Sequence, residues 1–309
     1  MIQYIRMMRL DHWVKQLFVF PGVLCALFLI DDSVFPLDLL SKLAVGFIAT
    51  SLIASANYVI NEWLDAATDK FHPTKKFRPS VTQGVKGGVV WLLWLILAIA
   101  GFAMGYTINI PFLICLVWLW VMGIIYNVRP VRTKDFPFVD VLSESVNNAI
   151  RLLLGWFIVT NAVLPPSSAV VGYWMAGAYL MAVKRFAEYR MIGDKSIASS
   201  YRKSFAYYNE VNLLTSALFY ALLSVFLIGV FLLKYRIELI LFIPLLMALY
   251  CYYLHLAFKE DSCVQKPEKL YHEPRLIIFI VAIAIWFVVL LECDFPWLHI
   301  FTSEKLIPL

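Results

Sequence analysis

Asn61, Asp65 and Asp69 are spaced four apart in this 309-residue sequence, and they are the first residues that could do chemistry together. On a helix they form one stripe, rising about 6 Å per step. Oxygen ligands so arranged suit a hard cation, and Mg2+ characteristically bridges a few carboxylates to phosphate oxygens. The next residues read Lys70-Phe71-His72-Pro73-Thr74-Lys75-Lys76-Phe77-Arg78-Pro79. Pro73 is expected to end the helix near His72, leaving Lys75, Lys76 and Arg78 beside the carboxylates. Carboxylates for a metal next to cations for phosphate meet the needs of a diphosphate leaving group. The competing reading is a solvated helix end paired with nearby lysines, and Lys70 and Lys86 fit that simpler description.

A second set begins at Tyr126 and runs through Arg129, Arg132, Lys134 and Asp135. Asp140, Glu144, Asn148 and Arg151 follow at spacings of four, four and three, a polar stripe descending into an apolar segment. An arginine at such depth is costly and marks a function or a partner. Its alternatives are a salt bridge to Glu144 or a hydrogen bond to Asn147 or Asn148. The third set is Lys184-Arg185-Phe186-Ala187-Glu188-Tyr189-Arg190, with Tyr201-Arg202-Lys203-Ser204 after it. Lys184 and Glu188 are also spaced to pair with each other. His12, His255, His272 and His299 form no constellation. The five cysteines show no CxxC or Cys/His metal spacing and read as buried or idle thiols.

The elements that carry these residues are membrane helices. Hydrophobic residues make up 62% of the chain and charged residues 15%, with mean hydropathy +0.78. That balance excludes a disordered chain, a disulfide scaffold and a nucleic-acid-binding domain despite a net charge of +5. A bilayer-crossing helix needs about 20 mostly apolar residues. Nine segments meet or nearly meet that need, near 13–30, 41–64, 88–106, 109–126, 139–163, 167–187, 211–233, 236–256 and 275–293. Tight hairpins are expected around Asn109-Ile110-Pro111 and Pro165-Pro166. No cleavable signal and no transporter-like repeat is evident, and Ile2, Ile5 and Met8 around Arg6 and Arg9 suggest a short interfacial helix. Residues 1–15, 70–86, 129–134, 184–203 and 259–275 hold 21 of the 26 Lys and Arg. Opposite loops and the C-terminal tail hold Lys42, Lys234, Arg236 and Lys305. The positive-inside rule then puts the N-terminus and the basic loops in the cytoplasm and the C-terminus outside.

The stripe Asn61-x3-Asp65-x3-Asp69, its basic loop and the second acidic stripe at Asp140 resemble the UbiA superfamily of intramembrane prenyltransferases. The resemblance covers the whole chain. It implies an all-α polytopic membrane protein, one domain over 1–309, with nine transmembrane helices around a central cytoplasm-facing cavity. In that family two aspartate-rich motifs bind Mg2+ and a diphosphate; here Glu144 stands where a second aspartate is common.

Three separated motifs are similar to one branch of the superfamily, which transfers phosphoribose to decaprenyl phosphate. They are Arg9-x3-Trp13-Val14-Lys15; Tyr58-x2-Asn61-x3-Asp65-x3-Asp69-x2-His72-Pro73-Thr74-Lys75-x2-Arg78-Pro79; and Lys184-Arg185-x2-Glu188-x-Arg190. The branch uses phosphoribosyl pyrophosphate as donor and a polyprenyl phosphate lipid as acceptor, and its product resembles the precursor of arabinose donors for cell-envelope glycans. The implied residence is the bacterial inner membrane, with the active site cytoplasmic. The resemblance is compatible with a homo-oligomer.

The implied reaction is displacement at C1 of the ribose. Mg2+ on Asp65 and Asp69, assisted by Asn61, would neutralise the departing pyrophosphate. Lys75 and Arg78 are expected to hold donor phosphates, with Lys134, Lys184 and Arg185 holding more and Lys15 meeting the lipid phosphate. Tyr58, Tyr126, Asp140, Arg151, Glu188 and Arg190 complete the expected substrate-binding set. Two other readings stand beside this one. One is a prenyltransferase that moves a lipid from its diphosphate to an aromatic or other small acceptor. The other is a transporter or lipid-binding protein without catalysis, against which the one-sided clustering of polar groups argues.

Overall fold

The computed structural model describes residues 2–30, 38–259, 262–265 and 273–298, which are helical without any strand. The helices are α1 (Ile2–Met7), α2 (Phe20–Leu29), α3 (Leu39–Asp69), α4 (Pro79–Thr82), α5 (Gly87–Tyr106) and α6 (Ile110–Asn127). They continue with α7 (Val139–Val159), α8 (Ser167–Ile192), α9 (Lys195–Tyr201), α10 (Glu210–Tyr235), α11 (Ile243–Ala257) and α12 (Pro274–Glu292). Each of the nine apolar segments coincides with helix among the described residues. Seven helical stretches are long and apolar enough to cross a membrane. The two segments outside that set are α7 and α8, whose polar and small residues lower their hydropathy. They are nonetheless central: α7 packs against α2, α6 and α8, and α8 against α7 and α10.

The ends differ from the sequence-based boundaries for local reasons. The first segment starts as a 3-10 helix over Leu10–Val19 and becomes α-helical only at Phe20, with Pro21 in the first turn, where a missing N–H costs nothing. The fifth stops at Val159 rather than 163, because Thr160 is extended. The sixth runs past 187 to Ile192, and Gly193 ends it with φ of 71°, a left-handed conformation that suits glycine. At the expected hairpin, Asn109 caps α6 by accepting from the Phe112 N–H at 2.8 Å, and Pro111 follows in the first turn. Of the basic stretch 259–275, residues 260–261 and 266–272 lie outside the described residues, as do His272, His299 and the tail from 299.

Two apolar cores flank the α7–α8 centre. One joins Tyr179, Val183 and Phe186 to Tyr250 and Leu256; the other joins Val23, Ile53, Leu116, Ile150 and Trp156. Between α2 and α7 the backbones themselves touch. A Cβ on Gly22 would lie 1.9 Å from the Leu152 carbonyl oxygen, and one on Gly155 would lie 2.0 Å from that of Val19. Small residues allow such approach between membrane helices. With 31 residues, α3 extends about 46 Å, longer than a hydrocarbon core of about 30 Å. Its last turns, with Asp65 and Asp69, therefore reach the level where the polar loops gather.

Candidate active site

Three helix ends and three loops converge at that end: the last turns of α3, the start of α7, the end of α8, and the loops around 72–78, 127–138 and 201–208. The helix period puts Asp65 and Asp69 one turn apart, as the spacing requires. Asp65 accepts from Arg132 Nη2 at 3.0 Å and Lys134 Nζ at 2.5 Å. Asp69 pairs with Arg78 Nη1 through one oxygen, while its other oxygen is buried without a hydrogen-bond partner. Asn61 donates to Asn127 Oδ1, which also accepts from Lys134 Nζ at 2.8 Å. Burial pushes Lys134 down to about 8 despite its carboxylate neighbour.

The 72–75 turn is organised by a histidine. The backbone N–H groups of Thr74 and Lys75 both donate to His72 Nδ1 at 3.2 Å. Burial holds the ring below its ordinary pKa, so Nδ1 stays an acceptor and Nε2–H donates to Glu188 Oε1 at 3.1 Å. Lys75 Nζ meets the same oxygen at 2.5 Å and also bonds Tyr201 OH. Burial lowers the Lys75 pKa, and Glu188 opposes that shift. Glu188 is thus claimed by loop cations, and the locally spaced pair with Lys184 does not form.

Arg185 is the hub of the second acidic stripe. It donates to Asp140 through Nε at 3.3 Å, to Glu188 through Nη1 at 3.2 Å, and to Tyr126 OH at 3.1 Å and Glu144 through Nη2. Tyr126 OH in turn donates to Glu144 at 2.6 Å. Asp140 is fully buried and also accepts from Arg202, Ser204 and Tyr208. Among the described residues, protein donors therefore reach both oxygens of Asp140 but only one of Glu144, and Arg185 links the two acids.

The remaining expected residues divide. Tyr58 lies deeper on α3, its ring 5.2 Å from His12 and 5.8 Å from the Arg9 guanidinium. Arg151 donates to Gln16 Oε1 at 2.9 Å, Asn147 O at 3.1 Å and Asn148 Oδ1 at 3.4 Å, rather than to Glu144. Lys184 is half-buried, and Lys15 on the 3-10 stretch lies within its electrostatic reach. Arg190 is not brought to the site. It is exposed, faces Glu210 at 3.7 Å and lies over the Phe186 and Phe258 rings. Two partners the spacing gave no role are Arg202, which donates to Tyr126 and Asp140, and Glu62, which binds Arg9 at 3.1 Å and the Ser80 N–H. The basic run near 202 is visible in the sequence, but its target is not. Beside Asp135 a cleft of about 390 Å³ opens between the 129–137 loop and Lys203 and Tyr207.

No three or more His, Cys, Asp or Glu side chains converge as a metal cage among the described residues. Mg2+ does not require one: two carboxylates plus substrate phosphate oxygens suffice. Asp65 and Asp69, with one buried Asp69 oxygen left over, fit that need.

The UbiA prenyltransferase family pattern matches residues 19–283. The chain belongs to this family. It is a transferase of the class, integral to a membrane and with the UbiA-like fold. A UbiA homolog from Archaeoglobus fulgidus, solved bound to GPP and Mg2+, superposes with a TM-score of 0.69 at 19% identity, covering 94% of this chain and 100% of that one. The decaprenyl-phosphate phosphoribosyltransferase of Mycobacterium tuberculosis is 25% identical over 221 residues, 68% of this chain and 67% of that protein. A protoheme IX farnesyltransferase from Edwardsiella ictaluri is 28% identical over 152 residues, 47% of this chain and 50% of its own.

Proposed function

We propose that this protein transfers 5-phosphoribose from phosphoribosyl pyrophosphate to a polyprenyl phosphate, releasing pyrophosphate, at the cytoplasmic face of a bacterial inner membrane. The whole chain, 1–309, acts as one domain of nine transmembrane helices around a cytoplasm-facing cavity. The observation that carries this reading is the number of cations interleaved with the carboxylates: Lys75, Arg78, Arg132, Lys134 and Arg202. A diphosphate alone needs fewer, whereas a donor with a further 5-phosphate needs more. The similarity to a phosphoribosyltransferase of decaprenyl phosphate supports the same donor.

Asp65 and Asp69 would hold Mg2+, and bound there the ion offsets charge developing on the leaving pyrophosphate. Arg78 beside Asp69, and Arg132 and Lys134 beside Asp65, face the donor phosphates next to those carboxylates. His72 and Glu188 fix Lys75 for the same task. An acceptor phosphate oxygen forms the new bond to C1 as the C1–O bond to pyrophosphate breaks. The acceptor is already anionic, so no proton moves. His72 is not placed to act as a base, since its Nδ1 is occupied by backbone donors.

A second reading, transfer of a prenyl group from its diphosphate, is favoured by the similarity to protoheme IX farnesyltransferase. Purified protein given both donor types in parallel separates the two. The expected result is Mg2+-dependent transfer of labelled phosphoribose to a polyprenyl phosphate with release of pyrophosphate. Transfer from an isoprenyl diphosphate to a ring acceptor, with none from phosphoribosyl pyrophosphate, would establish the second reading instead.

A further inference from the structure

Two cations in the helical centre differ from the rest of the site. Arg78, Arg132, Lys134, Arg185 and Arg202 each meet a carboxylate. Arg151 and Lys184 form no salt bridge among the described residues. Glu144, which acts on Lys184 electrostatically, is bonded to Arg185 and Tyr126 instead. Arg151 is only 9% exposed and its bonds are all to neutral groups. A buried guanidinium without a counter-charge is expensive unless an anion completes it. Gln16 gives a second sign of the same ligand. It is fully buried, its carbonyl accepts from Arg151, and its amide nitrogen is a donor without an acceptor.

The helix directions bring the two cations toward one part of the bundle. On each helix the side chains lean toward the N-terminus, and α7 and α8 pack side by side in opposite senses. Arg151 therefore leans toward the start of α7, as its bonds to Asn147 and Asn148 show. Lys184, on the antiparallel α8, lies within electrostatic reach of Glu144 and Lys15. The helices meet at Asn148 and Gly177, where a Cβ on the glycine would lie 2.3 Å from the Asn148 amide nitrogen. Lys184 lies about 10 Å above that level and Arg151 about 5 Å below it, by helix rise. Both cations also act electrostatically on Tyr58, which faces this space from α3 two turns below Asp65.

We propose that Arg151, Lys184 and the Gln16 amide form a second anion site, for the phosphate of the lipid acceptor, below the donor's carboxylates. The assignment rests on the proposed polyprenyl phosphate acceptor, and it moves Lys184 from the donor to the acceptor. A phosphate held there approaches the donor from the apolar side of the bundle, where its chain can remain among the helices.

The test measures binding of a labelled polyprenyl phosphate to the purified full-length protein, with the matching polyprenol and inorganic phosphate as competitors. Unlabelled lipid phosphate should compete, while polyprenol and inorganic phosphate at the same concentration should not. Lys184→Gln and Arg151→Gln should weaken lipid-phosphate binding about tenfold or more, with partial recovery in Arg151→Lys. Affinity for phosphoribosyl pyrophosphate with Mg2+ should stay within about twofold of the parent protein, since Asp65 and Asp69 pair with Arg132, Lys134 and Arg78 and with neither of these two cations. Lys184 is only half-buried, so Lys184→Gln keeps the test decisive if Arg151→Gln does not fold. Unchanged lipid-phosphate affinity in Lys184→Gln, or a loss of donor affinity in its place, overturns the assignment. So does competition by polyprenol or inorganic phosphate equal to that of the lipid phosphate. A protein that binds the lipid phosphate through these residues but transfers no phosphoribose upholds this site and overturns the donor reading.

Discussion

Asp69, at the end of α3, differs from Asp140 in what it leaves unused. Asp69 keeps one buried oxygen without a partner, whereas Asp140 is saturated by Arg185, Arg202, Ser204 and Tyr208. Asp65→Asn and Asp69→Asn should each lower turnover about a hundred- to thousandfold, as loss of oxyanion-stabilising interactions does, with the protein still folded by size-exclusion and thermal unfolding. Excess EDTA should abolish the same activity. Near-normal rates in both variants would reduce the pair to a helix terminus. Asp140→Asn, by contrast, should lower thermal stability, because buried Arg185 and Arg202 lose a shared counter-charge. The Asn61, Asp65 and Asp69 stripe was legible because the helix period alone aligns it. Arg202 was not, because it reaches Tyr126 across 76 residues and Asp140 across 62, and no local spacing encodes such a contact. The Lys184–Glu188 spacing misled for the same reason. A lysine 113 residues away takes the glutamate.

At the scale of elements, apolar run length located the helices, since burial in lipid and burial in protein ask for similar residues. Their ends were less legible. Whether Leu10–Val19 winds as a 3-10 helix, or α7 stops at Val159, depends on backbone conformation that hydropathy does not register. The α2–α7 contact was equally invisible, because Gly22 and Gly155 matter for what they lack. Gly155→Ala would force a methyl group against the Val19 carbonyl and part the two helices. Overpacking of this kind costs about 1–3 kcal/mol. A lower unfolding temperature in detergent should follow, larger than that of Gly88→Ala, where a Cβ meets open space. Equal stability of the two variants would mean that α2 and α7 do not approach as closely as this geometry requires. The same displacement moves Gln16 relative to Arg151, so polyprenyl phosphate binding should suffer more in Gly155→Ala than donor binding.

The whole molecule is polarised along the bundle axis. Its flanks expose large apolar side chains such as Leu92, Ile99, Leu218, Phe226 and Ile285, a surface suited to lipid. The cations and carboxylates gather at one end, where α3 and α8 finish and α7 begins, while the opposite end carries the short turns at 107–109 and 160–166. The basic segments at the polar end, together with the N-terminus, hold most of the 26 Lys and Arg. In the proposed topology, retention of positive charge on the cytoplasmic side sets the orientation. That orientation would put the polar end where the proposed soluble, multiply charged donor is available. In a variant lacking the five native cysteines, single cysteines at positions 76 and 195 should react with an impermeant maleimide only after the cells are opened. Cysteines at 162 and 235 should react in intact cells. With the nine crossings proposed, both pairs change together, since an odd number of crossings separates each loop of one pair from each loop of the other. Labelling of position 76 in intact cells, with 235 protected, would invert the protein and leave the site facing a compartment without its donor.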